Sequence, residues 1–153
     1  MYIMNSERNI AMDKTVYFLS SSHQRSLIAL GWAKKLSVQD WSFKSAGWQE
    51  TADRDLSVLA MKELCIDISS FPRGQAELPC LKQASVIVKI QDTEFDEDIL
   101  LPSELEDKVI CWDLPNPRKR SRDKLEEWAR YQEICDEIAM KVKSLNTFLT
   151  GFN

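Results

Sequence analysis

The chain is short of the residues that build metal sites. It carries one histidine, His23, and its four cysteines (Cys65, Cys80, Cys111, Cys135) fall in no C-x-x-C or other ligand spacing. That argues against a zinc site and leaves no metal or cofactor to expect. Four scattered thiols in 153 residues fit a reduced, cytoplasmic protein with buried cysteines. No apolar run approaches the ~18–20 residues needed to cross a bilayer, so no membrane partner is expected. The first twelve residues, MYIMNSERNIAM, lack the apolar centre of a signal peptide. Residues 1–12 read as a flexible extension and residues 13–150 as one domain. An excess of basic charge is also missing: 20 Lys and Arg face 24 Asp and Glu, for a net charge of −4. General nucleic-acid affinity needs the opposite balance. No internal repeat or low-complexity stretch interrupts the chain.

What is present is an ordinary globular balance, 44% hydrophobic and 29% charged, in a length that buries a core without staples. Residues 15–19 (TVYFL) are β-branched and aromatic and read as a buried strand. Residues 20–23 follow as a polar turn without glycine. Residues 25–36 have helical periodicity. Residues 41–46 read as a second strand closed by Gly47, and 53–64 as a helix with acidic residues at its start. Residues 78–83 read as a short helix, 85–90 and 108–112 as strands, and 115–117 as a stiff loop. Residues 123–148 form a long helix whose apolar stripe includes Leu125, Trp128, Tyr131, Cys135, Ile138 and Val142. Such alternation predicts an α/β fold, a mostly parallel sheet with helices on both faces. Ligands of such sheets bind beyond the carboxyl ends of the strands.

The segment Ser20-Ser21-Ser22-His23-Gln24-Arg25-Ser26 sits at such an end, just before a helix. Amides at a helix N-terminus carry partial positive charge. Arg25 adds a planar donor pair suited to phosphate or arsenate. A serine-rich turn that caps a helix accounts for the same residues without any ligand.

A family resemblance bears on that choice. Arg25 to Trp32 (RSLIALGW) resembles the R-S-x-M-A-E-G-W stretch that follows the catalytic loop of low-molecular-weight tyrosine phosphatases and thioredoxin-coupled arsenate reductases. Ser45-Ala46-Gly47, Ala60-Met61-Lys62-Glu63, Ile66-Asp67-Ile68-Ser69, Leu81-Lys82-Gln83, Leu101-Pro102 and Trp112 to Pro117 resemble later family motifs in order. The resemblance covers residues 14–145. It implies a three-layer α/β/α sandwich around a four-stranded parallel sheet, with the oxyanion cradle at Ser20–Ser26.

The departures bear on activity. The family loop is C-x5-R-S, in which a thiolate attacks phosphorus or arsenic while the loop amides and the arginine stabilise charge. Counting back from Arg25 places Leu19 at the cysteine, or Ser20 if the loop is one residue shorter. Neither is a thiol, and serine is a far weaker nucleophile without a base. The family's acid, an Asp before Pro, corresponds to Asn116 before Pro117, and losing a general acid costs roughly 10²–10⁴ in rate. The redox cysteine pair of the reductase branch corresponds to Gln91 and Asp98. The glutamate of A-E-G-W is Leu30, so the cation site of some members is expected to be absent. The resemblance thus implies a catalytically impaired homologue, with Ser20, Arg25 and Asn116 as vestigial positions. Such a protein would bind an oxyanion (phosphate, sulfate or arsenate) or a phosphorylated protein. The alternative is an active phosphatase or arsenate reductase that uses a non-cysteine group.

Four further features belong to this reading. His23 could pair with Ser20 as base and nucleophile, or stand as an ordinary turn histidine. The basic run Arg118-Lys119-Arg120-Ser121-Arg122 could recruit an acidic partner or be solvated. The acidic stretch 94–98 reads as a solvated loop that could pair with that run. Trp48, after Gly47, could line the mouth of the pocket.

Overall fold

A computed structural model describes residues 14–36, 38–49, 56–72 and 74–151. The extension assigned to residues 1–12 and the first residues of the helix expected from 53 lie outside them. Four parallel strands, β1 (Lys14–Ser22), β2 (Trp41–Gln49), β3 (Val86–Gln91) and β4 (Val109–Asp113), form one sheet in the order β2-β1-β3-β4. The central strands β1 and β3 are buried on both faces, and this is why they read as near-continuous apolar runs.

Alternation along β1 divides the core in two. Val16 and Phe18 face a large cluster built with α1 (Arg25–Lys35), α2 (Leu56–Glu63) and the long helix α5 (Lys124–Thr150). Tyr17 and Leu19 face a smaller cluster with Leu81 of α3 (Leu78–Gln83), Ile99 and Leu105. Leu105 belongs to a 3₁₀ turn at Ser103–Lys108. The result is the expected three-layer sandwich. Gly31 permits one close contact in it: a Cβ there would meet Ile68 Cγ2 at 2.8 Å, so α1 can lie directly on the segment after α2.

Several expectations need correction. The first strand does not stop at Leu19 but continues to Ser22, because β2 also runs on and pairs Ser22 with Gln49. Residues 117–120, read as loop, form the short helix α4 (Pro117–Arg120), with Asn116 as its N-cap and proline in the first turn. Leu125 is 78% exposed and lies off the buried stripe of α5, whose apolar side runs through Tyr131, Ile134, Cys135, Ile138 and Val142. Trp48 is half-buried against the smaller cluster.

Candidate functional site

Near the carboxyl end of β1 the two residues that the resemblance sets against the family's cysteine separate by pleat. Leu19 is fully buried in the smaller apolar cluster. Ser20 points the other way, towards the start of α1, and its Oγ lies 2.7 Å from Ser26 Oγ. Ser20 Oγ accepts a hydrogen bond from Ser26 N at 3.1 Å and lies 2.9 Å from Ser22 O as a donor. Ser26 Oγ in turn lies 3.2 Å from Ala46 O. Two hydroxyl protons serve this chain of contacts, and neither is handed to an imidazole or a carboxylate. The Gln24 amide is also used internally, donating to Ser22 O. Two amides of the segment, those of Gln24 and Ser26, are thus used within it.

His23 is buried, but its Nε2 meets Ser45 Oγ at 2.8 Å. This contact replaces the Ser20–His23 pair considered from sequence. Gly47 explains how the histidine turn packs so tightly on β2: a Cβ at that position would stand 2.9 Å from His23 Cβ and 3.1 Å from His23 N. Gln24 is buried and accepts a hydrogen bond from the Tyr131 hydroxyl of α5. Burial, with the nearby Glu127 charge, pushes the Tyr131 hydroxyl well above its ordinary range, so it stays a neutral donor. Ser22 Oγ approaches Gln24 Oε1 at 3.4 Å.

Arg25 is 1% exposed. Its Nη1 donates to Leu114 O at 3.1 Å, and its Nη2 donates to Ser21 Oγ at 3.1 Å and to Asp96 Oδ2 at 2.8 Å. Asp96, assigned from sequence to a solvated acidic loop, has a fully buried side chain. Its Oδ2 also accepts from Asp92 N at 2.8 Å, its Oδ1 accepts from Asn116 Nδ2 at 2.8 Å, and Lys119 Nζ lies 3.3 Å away. Burial pushes the Asp96 carboxyl up. The Arg25 charge and the hydrogen bonds from Asp92 N, Asn116 and Arg25 outweigh that and hold it below its ordinary value.

Asn116 is therefore not an idle remnant. Its Oδ1 caps α4 by accepting from Arg118 N and Lys119 N, and its own N–H donates to Asp92 Oδ2 at 2.9 Å. Asp92, fully buried, is gripped by Arg120 through Nε at 2.6 Å and Nη2 at 2.9 Å. Burial raises the Asp92 carboxyl, but the Arg120 hydrogen bonds and the amides of Asn116 and Glu94 depress it far more. The basic run and the acidic stretch thus do pair: Arg120 also meets Glu94 at 2.9 Å and stacks on Phe95 at 4.7 Å. Sequence inspection missed Asp92 and Asp96. The pair Asn116-Pro117 was the available signal for the cap, since Asn before Pro is a helix-start pattern.

The thiols belong to other places. Cys65 and Cys111 are exposed, Cys80 lies in α3, and Cys135 is fully buried in α5, where burial and Asp136 push its thiol up to about 12. No group of three His, Cys, Asp or Glu among the described residues could hold a metal ion. No described helix is long and apolar enough to cross a membrane. A groove of about 440 Å³ between β4 and α5, lined by Ile110, Trp112, Met140 and Phe148 among others, shares no residue with the Ser20–Ser26 segment.

No family model matches the chain. Its sequence relatives are informative: an arsenate reductase of Staphylococcus xylosus is 30% identical over 132 residues, 86% of this chain and 95% of that protein. An arsenate reductase of Halalkalibacterium halodurans is 31% identical over 132 residues, 86% of this chain and 94% of that protein. The chain belongs to the arsenate reductase family. Solved structures agree on the fold. An arsenate reductase in its reduced state matches with a TM-score of 0.69 and 21% identity, covering 89% of this chain and 98% of that one. An arginine phosphatase of Geobacillus stearothermophilus gives 0.71 at 15% identity, covering 90% and 94%. A protein tyrosine phosphatase gives 0.72 at 10%, covering 93% and 99%.

Membership gives Gln91 and Asp98 added interest, since the resemblance sets them at the positions of the family's redox cysteines. Here Gln91 Nε2 donates to Asp98 Oδ1 at 2.9 Å, and Gln91 Oε1 accepts from Ile99 N at 3.1 Å. A hydrogen bond joins the two positions. Leu30, at the glutamate of the family stretch, is buried in the larger core cluster.

Proposed function

We propose that this chain is a non-catalytic member of the arsenate reductase family, a binding protein whose Arg25 site takes the oxyanion group of phosphate, arsenate or a phosphorylated partner. The observation that carries this reading is the state of Ser20. Its hydroxyl is the one that faces the start of α1, and it is occupied by Ser22 O, Ser26 N and Ser26 Oγ, with no base in contact with it among the described residues. A serine needs such a base to attack phosphorus or arsenic. Asn116 supports the reading from the opposite side, because an amide that caps α4 and donates to Asp96 has no proton to give a leaving group. Gln91 and Asp98 support it a third time, since neither can carry electrons as a thiol relay does.

The test is turnover by the purified full chain, with p-nitrophenyl phosphate for the phosphatase reaction and arsenate with thioredoxin and its reductase for the other. The expected result is no turnover above the blank in either. Turnover that disappears in Ser20→Ala would overturn the reading and establish the alternative, an active enzyme working through a hydroxyl.

A further inference from the structure

We infer that Asp96 is a built-in occupant of the Arg25 site, and that the segment from Gln91 to Asp98 is a latch that an external oxyanion must displace. The inference rests on the proposed oxyanion role of Arg25 and adds what regulates that site.

Three observations carry it. First, the carboxylate is received as a bound anion would be: Arg25 Nη2 at 2.8 Å, Asp92 N at 2.8 Å and Asn116 Nδ2 at 2.8 Å, with the side chain fully buried. Every one of these groups is a donor, and two oxygens share them. This is the recognition a charged oxyanion calls for. Second, Arg25 has little left to offer. Its remaining described contacts, Leu114 O and Ser21 Oγ, are protein acceptors, and the guanidinium is 1% exposed. A phosphate reaching Arg25 therefore meets a site already neutralised. Third, the segment is fastened at both ends by polar contacts and not by a packed apolar face. Gln91 holds Asp98 at one base, and Arg120 holds Asp92 through two bonds beside the other. Between them Thr93 donates to Asp113 through its N–H and its hydroxyl, both at 3.0 Å, and Glu94 accepts from Arg120 at 2.9 Å, so the middle of the segment is held by polar contacts too. Polar fastenings can be exchanged for water or for a competing anion, and the segment can then swing without opening the core.

The experiment follows melting temperature against inorganic phosphate, at ionic strength held constant with chloride. The wild-type chain is expected to respond only weakly, since phosphate must first displace Asp96. Asp96→Asn is expected to melt lower and to regain stability with phosphate, by on the order of 5–10 °C at a hundredfold excess over Kd. The double variant R25Q/D96N should fold and lose the response, which separates binding at Arg25 from adsorption on surface lysines. If D96N folds only in phosphate and not in chloride, the inference is supported directly. If it folds in neither, Arg120→Gln loosens the latch at Asp92 while leaving Asp96 in place, and a phosphate response is expected there. Absence of a response in whichever of D96N and R120Q folds, or an equal response in the wild type, overturns the inference. Turnover in any variant that is lost with Ser20→Ala sinks the non-catalytic reading and leaves the latch standing. Absence of both turnover and response sinks the latch alone.

Discussion

Arg25 and Asp96 should behave as one unit in a double-mutant cycle. The two side chains are 1% and 0% exposed and meet at 2.8 Å. Replacing Asp96 with Asn leaves a guanidinium that cannot shed its proton in an interior without a counter-charge. Breaking a buried pair in this way costs about 3–5 kcal/mol. Replacing Arg25 with Gln should cost less, about 2 kcal/mol, because the stranded carboxylate keeps Asn116 Nδ2 and Asp92 N and can take up a proton. The double variant places two amides of similar shape face to face, so its loss should fall short of the sum by about 2 kcal/mol. In thermal terms D96N should melt on the order of 10 °C lower, at roughly 2–4 °C per kcal/mol for a domain of this size. Urea unfolding near pH 7, followed by far-UV circular dichroism with a common slope, measures all four corners of the cycle. Losses below about 1 kcal/mol in both single variants, or additivity within about 0.5 kcal/mol, would refute the view of this pair as a desolvated unit.

Three other outcomes are expected. Asp92 and Asp96 both have carboxyls held below their ordinary values in the fold. The native state therefore binds fewer protons than the unfolded chain, and the stability they contribute is complete above about pH 4 and lost as pH falls below it. A melting-temperature series across that range should show the acid loss, with a shallower slope in D96N. Asn116→Asp, which restores the family's Asp-Pro pair, should produce no turnover. It should also lower stability at neutral pH, because the new carboxylate replaces a donor 2.8 Å from Asp96 Oδ1. That deficit should shrink as pH falls and one of the two carboxyls takes up a proton. Gly47→Ala should cost about 1–3 kcal/mol in urea unfolding, because its Cβ would meet the backbone atoms Gln49 O and His23 N at 3.1 Å, and neither can rotate away.

The order of elements was legible because it rests on local periodicity. Residues 15–19, 25–36 and 123–148 show their buried sides within the segment itself. The Ser20–Arg25 segment was legible as a candidate site through its place between a strand and a helix. The length of β1 was not, since three consecutive serines carry no strand signal, and it is the continuation of β2 to Gln49 that pulls Ser22 into the sheet. The fate of Asp96 was the least legible of all. Nothing near it distinguishes it from Glu94 or Glu97, and its burial is set by Arg25, 71 residues away in the chain. The pairing of the basic run with the acidic stretch was visible as a complementarity of charge, but not which members meet. Only geometry selects Arg120 for Asp92 and leaves Arg122 on Glu126.

The contact between Gln91 and Asp98 has a consequence for what this chain can sense. Where two sulfurs stand, a change in the surrounding thiol poise can make or break a covalent tie and throw the intervening residues from one position to another. An amide donating to a carboxylate has no such electron account with its environment. The tie between these two residues therefore rests on the charge of the Asp98 carboxylate and not on thiol chemistry.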